Sequence, residues 1–138
     1  MQSGGIAATA IGMTELPPYA HLLQLRTKEQ ADGSPLFTMP FHDDVVGRPL
    51  YLHGGAIAGL LEFAAYGTLR RALDGGAVTM KPITVTVNYM LGGKSCETYA
   101  CAVVERLGRS IANVEAFAWQ EDRSRPIASA RINFLLER

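Results

Sequence analysis

The run GGAIAGLLEFAAYGTL, residues 54–69, is apolar on every side except for one glutamate. A surface helix would carry a polar stripe at every third or fourth position, and this run has none. Arg70 and Arg71 follow it, where positive charge suits the negative end of a helix, and Asp74-Gly75-Gly76 then supplies a stop. The stretch predicts a helix buried all round. Gly55, Gly59 and Gly67 each weaken it as a helix, which points to close approach of another backbone.

Beyond the helix the pattern changes to period two. Ile83 to Met90 (ITVTVNYM) sets Ile83, Val85, Val87 and Tyr89 on one face and Thr84, Thr86 and Asn88 on the other, as a half-buried strand does. Further strands are expected over Glu97 to Arg106, Ser110 to Gln120 and Ile127 to Leu136. Their short breaks, among them Gly92-Gly93-Lys94 and Leu107-Gly108-Arg109, favour antiparallel neighbours. Alanines recur in register at 100 and 102, at 112, 116 and 118, and at 128 and 130, a surface that lets a sheet curve tightly around a bulky object. Before the helix, Ala20 to Leu23 reads as a helical turn. Leu23 to Lys28 and Leu36 to Phe41 read as a hairpin about Asp32-Gly33-Ser34-Pro35. The expected order is hairpin, buried helix, four-stranded meander: an α+β domain whose sheet wraps one central helix.

The 138 residues suit one domain, taken as 14–138 behind a weakly patterned tail over 1–13. Apolar residues reach 48% against 19% charged, enough for a continuous core. Thirteen basic and thirteen acidic residues cancel, which leaves no nucleic-acid or membrane-surface footprint in the net charge. No apolar run is long enough to span a bilayer. The opening MQSGGIAATAIGMT has neither the basic nor the apolar region of a secretory signal, so a cytoplasmic protein is expected. Cys96 and Cys101, five apart in one expected strand, face opposite ways and should not pair, and they lack zinc-site spacing.

Glu62 is the only charge between Gly54 and Leu69. Burying an unpaired carboxylate costs several kcal/mol, so it must be paired, reach solvent, or serve chemistry in an apolar pocket. His53-Gly54-Gly55 precedes the helix. Glycines there leave backbone N–H groups open to an anion or carbonyl, as an oxyanion hole requires, although the same residues suit a plain glycine-rich helix entry. His53 fits capping or packing as well as chemistry, and no motif surrounds His21 or His42.

LHGGAIAGLLEFAAYGTL, Leu52 to Leu69, resembles the His-Gly-Gly-x6-Asp/Glu signature of the PaaI-like hotdog-fold thioesterases, with Glu62 nine residues after His53. ITVTVNYM and VVERLGRSIANVEAFAW resemble the family's later strands, so the likeness runs from about Gly47 to Leu136. It implies hydrolysis of an acyl- or aroyl-CoA, with Glu62 as nucleophile or general base and the Gly54 or Gly55 N–H polarising the thioester carbonyl. It also implies a site at a homodimer interface, a dimer or dimer of dimers, and no metal or redox cofactor, coenzyme A being part of the substrate. Geometry agrees: Glu62 lies about 12 Å beyond Gly54 along a helix axis, too far for one protomer to aim both at one carbonyl.

Gly47 stands where many members carry Asn or Gln, and Tyr66 where they tend to carry Ser or Thr; both are taken as substrate-binding positions. Arg106, Gly108, Arg109 and Ser110 form a basic turn suited to a phosphate or to a solvated hairpin tip. Phe63, Tyr66, Tyr89, Phe117 and Trp119 are candidates for lining the acyl pocket. The competing readings are a hydratase or dehydratase of enoyl or hydroxyacyl thioesters, which would need a histidine working with the acid, and a non-catalytic acyl-CoA-binding module.

Overall fold

Residues 17–73 and 77–138 are described in a computed structural model of the chain. The tail expected over 1–13 and the Asp74-Gly75-Gly76 stop lie outside the described residues. A short helix α1 (Pro18–Leu23) begins with proline, whose fixed φ suits a first turn. Strands β1 (Arg26–Glu29) and β2 (Pro35–Met39) form the expected hairpin, with Arg26 opposite Thr38 and Glu29 opposite Pro35. A 3-10 turn, Asp43–Val45, leads to the long helix α2 (Gly54–Ala72). Four strands follow: β3 (Thr79–Tyr89), β4 (Thr98–Leu107), β5 (Ile111–Trp119) and β6 (Ala128–Glu137).

The six strands make one antiparallel sheet in the order β1-β2-β4-β5-β6-β3. The four-stranded meander therefore needs correction: β4, β5 and β6 are sequential neighbours, but β3 pairs with β6 at the sheet's edge. Gly92-Gly93-Lys94 is not a hairpin turn. It belongs to a connection that crosses the end of the sheet, where the Met90 and Leu91 N–H groups donate to Ile127 O and the Leu52 N–H donates to Gly93 O. The Gln120 amide ties it down, accepting from Lys94 N at 2.9 Å and donating to Lys94 O at 2.9 Å and to Thr98 Oγ1 at 3.1 Å. A Cβ on Gly93 would come 2.8 Å from Leu52 Cδ1, so a side chain there would require Leu52 to shift.

The concave face carries the alanines: Ala100, Ala112, Ala116, Ala118 and Ala128 are wholly buried, and Ala102 and Ala130 almost so. Against them α2 sets Leu60, Leu61, Ala64, Ala65 and Leu69, with Phe37, Phe134 and Ile132 filling the remaining core. Phe117 and Trp119 alternate with Ala116 and Ala118, so they point to the convex face, away from α2, and are not acyl-pocket candidates. There Arg123 stacks on Trp119, 4.6 Å from the ring centre.

Two further expectations are corrected. Cys96 precedes β4 rather than sharing it with Cys101; both thiols are free. Nor is α2 buried all round in this chain. Gly55 is exposed, and Ala58, Glu62, Phe63, Tyr66 and Arg70 are only partly covered. Positions 55, 58, 62 and 66 recur at helical spacing, so they form one open stripe.

Candidate active site

His53 caps α2. Its Nδ1 accepts the Gly55 N–H at 2.8 Å, and its carbonyl accepts from Ala56 and Ile57. The proton of the neutral ring therefore sits on Nε2. The cap also uses the Gly55 N–H, so the expected pair of open donors reduces to Gly54. As the first helical residue, Gly54 has no acceptor within the helix, and no hydrogen bond engages its N–H among the described residues.

Glu62 lies two turns further along the open stripe, and among the described residues no hydrogen bond or ion pair engages its carboxylate. Of the three expectations for this carboxylate, an ion pair is thus not found among the described residues. Aromatic rings stand close by. The Tyr19 ring, from α1, lies over Gly59, where a Cβ would meet it at 2.7 Å, and its centre is 6.3 Å from that of Phe63. Tyr66, one turn past Glu62, is 6.4 Å from Phe134 between ring centres. Across the helix start, Tyr89 on β3 donates its hydroxyl to Gly54 O at 2.8 Å. Sequence reasoning missed Tyr19. The glycine at 59, noted only as a sign of close backbone approach, was the available signal: it makes room for a ring.

Gly47 is packed closely against backbone at the helix entry. It sits in the bridge pairing Val46 with Leu52, and a Cβ there would come 2.9 Å from His53 Cα. Arg48, a conceivable substitute for the missing amide, instead stacks on Tyr51 at 4.6 Å. The Arg106–Ser110 turn joins β4 to β5 at the end of the sheet opposite the helix start. Ten residues of β4 separate it from the Thr98 end, about 30 Å. Its backbone is occupied: Gly108 N donates to Ile111 O, and the Ser110 and Arg109 carbonyls accept from Leu136 N and Arg138 Nε. It cannot meet Gly54 of its own chain.

At the helix-start end, a cleft of about 350 Å³ is lined by Tyr51, Leu91, Lys94, Gln120, Arg125 and Ile127, among others. No group of three or more His, Cys, Asp or Glu side chains is placed to hold a metal among the described residues, and no helix there is long and apolar enough to cross a membrane.

Comparison with known proteins gives a consistent picture. The sequence profile of the Thioesterase superfamily matches residues 51–127. A Chromobacterium violaceum protein of known structure is 31% identical, with a TM-score of 0.70 over 87% of this chain and 83% of its own. A Bacillus halodurans protein solved with CoA is 20% identical, with a TM-score of 0.81 over 95% of this chain and 89% of its own. A Staphylococcus aureus thioesterase, 22% identical with a TM-score of 0.76, covers 88% of this chain and all of its own. It was solved as a glutamine-to-alanine variant and, separately, as a glutamate-to-alanine variant. No curated protein matches the chain. The sheet wrapped around one helix is the hotdog fold of these relatives.

Proposed function

Because the chain belongs to the thioesterase superfamily, we propose that it hydrolyses an acyl- or aroyl-CoA thioester in the manner of PaaI-like hotdog enzymes, with Glu62 as the catalytic carboxylate. The observation that carries this is Glu62 itself, a carboxylate without a partner among the described residues, on the open stripe of an otherwise apolar helix. Glu62 attacks the thioester carbonyl or takes a proton from an attacking water. The Gly54 N–H stabilises the oxyanion, and the C–S bond then breaks to release the coenzyme A thiolate, which takes up a proton. With Glu62 as base the attacking water gives the free acid directly, and with Glu62 as nucleophile a second water hydrolyses the mixed anhydride to free acid and regenerated Glu62.

The 12 Å between Gly54 and Glu62 supports a site shared by two subunits. The β3 edge favours the same arrangement. It presents an unpaired backbone row together with Ile83, Val85 and Tyr89, each more than 40% exposed, an edge that invites pairing with a second copy. Two-fold pairing there runs the helices antiparallel, bringing Gly54 of one subunit toward Glu62 of the other. It also swings the Arg106 and Arg109 tip of one subunit toward the helix-start end of its partner. The cleft there carries Lys94 and Arg125 but also Glu121 and Asp122, so any phosphate contact in it falls to the individual basic side chains and not to a net positive charge. Tyr19, Phe63 and Tyr66 beside Glu62 suit an aromatic or an aliphatic acyl group.

The absence of an amide at Gly47 favours one second reading, a module that binds acyl-CoA without turning it over. Nothing favours a hydratase, since His53 Nδ1 is committed to its own helix. Steady-state thiol release from a panel of acyl- and aroyl-CoAs tests the proposal: turnover of at least one member is expected. Calorimetric binding with intact ligand after long incubation selects the module instead.

A further inference from the structure

Two side chains from distant parts of the sequence grip the same peptide unit. Between Gly54 and Gly55, the carbonyl accepts from the Tyr89 hydroxyl at 2.8 Å, and the N–H donates to His53 Nδ1 at 2.8 Å. The preceding unit, between His53 and Gly54, carries the N–H that thioester hydrolysis would use, and its carbonyl is fixed by Ala56 and Ile57. Consecutive glycines give the backbone more freedom than any other pair. A donor serves an oxyanion only if its direction is set before the charge develops.

We propose that Tyr89 is a positioning residue: with His53 it locks the Gly54–Gly55 peptide and so aims the Gly54 N–H at the thioester carbonyl. The proposal rests on the thioesterase reading for its purpose, though not for its geometry. Tyr89 is 55% exposed in the single chain, so burial within the protomer does not force its hydroxyl onto Gly54. Its ring lies against Gly54, where a Cβ would meet Cε1, Cζ and Oη all at 3.5 Å, and so it shields that residue from solvent on one side.

Tyr89→Phe keeps the ring and removes the bond. With the acyl-CoA that the wild type hydrolyses fastest, kcat should fall about tenfold or more while KM changes less than about twofold, since the donor matters chiefly in the transition state. A merely structural hydroxyl would lower the melting temperature and leave kcat per folded molecule unchanged. The second readout needs no activity: in ¹⁵N-glycine-labelled protein, hydrogen exchange at the Gly55 amide should speed up in Tyr89→Phe and in His53→Ala. The double variant should add less than the sum of the two. Unchanged Gly55 exchange in Tyr89→Phe overturns the clamp, and so does an unchanged kcat in an active protein. If the wild type turns over no thioester, the hydrolase reading fails, and the exchange data alone decide whether the clamp exists.

Discussion

An unpaired carboxylate is tolerated at position 62 because the helix face beneath it is open in the single chain. Gln is nearly isosteric and needs no counter-charge, so Glu62→Gln should fold as well as the wild type or better. Turnover should fall at least about a hundredfold, the usual scale for losing a general base. Thermal melting and thiol release measured together check this. A variant that unfolds yet keeps its activity per folded molecule would make Glu62 a structural residue. Gly47 is a second residue-scale case. Restoring an amide there with Gly47→Gln looks like a repair by family pattern, but its Cβ would press 2.9 Å from His53 Cα, and backbone does not yield as a side-chain tip does. The expected result is a loss of stability of about 1–3 kcal/mol, as for other overpacked sites, with no gain in kcat. A rise in kcat would mean that the Val46–Leu52 bridge can shift to admit the amide.

At the scale of elements, α2 and the three sequential strands were legible because period and composition alone select them: sixteen residues with one charge, then alternation with alanine in register. The place of β3 was not, because two glycines in a short break suit a hairpin and a close crossing equally well. Pro82 held a usable hint. Proline is confined to sheet edges and bulges, and β3 has both, its register shifting between Pro82 and Thr84. For the site, the His53-Gly54-Gly55 and Glu62 spacing was readable, whereas the use of Gly55 by its own neighbour depends on a side-chain rotamer that no pattern encodes. Two loops show a repeated local device, Asp32-Gly33-Ser34 and Asp122-Arg123-Ser124. In each, the serine hydroxyl and then its backbone N–H bond the aspartate and hold its carboxyl below the ordinary value. A depressed folded value means stabilisation that is present above the unfolded carboxylate pKa, about 3.9, and lost as pH falls through the folded one. The double variant Asp32→Asn, Asp122→Asn should therefore show a shallower fall of melting temperature from about pH 5 to pH 2 than the wild type. Identical slopes would mean that these contacts form equally in the unfolded chain.

At the scale of the whole molecule, the proposed roles would make a single protomer an incomplete catalyst: Gly54 and Glu62 lie on one helix about 12 Å apart along its axis, too far to act on one carbonyl. If two copies share each site, two dead variants should rescue one another. Glu62→Ala removes the carboxylate. Gly54→Pro removes the N–H left free by the His53 cap, and the structure suits the change on three counts. The first helical position accepts proline, a Cβ at Gly54 meets only ordinary contacts with Tyr89, and His53 already has the extended backbone, φ −70° and ψ 133°, that a residue before proline requires. Each variant should dimerise and be inactive. Co-refolded in equal amounts, half the dimers are mixed, and each mixed dimer holds one site with both groups and one with neither. Activity should then return to about a quarter of the wild-type value per mole of protein. Recovery should also fail when the variants are mixed without unfolding for as long as the dimers do not exchange, which separates shared sites from contamination by wild type. Parents that dimerise normally yet show no recovery after co-refolding would place Gly54 and Glu62 in separate roles, and the oxyanion donor would then have to be sought on the same subunit as Glu62.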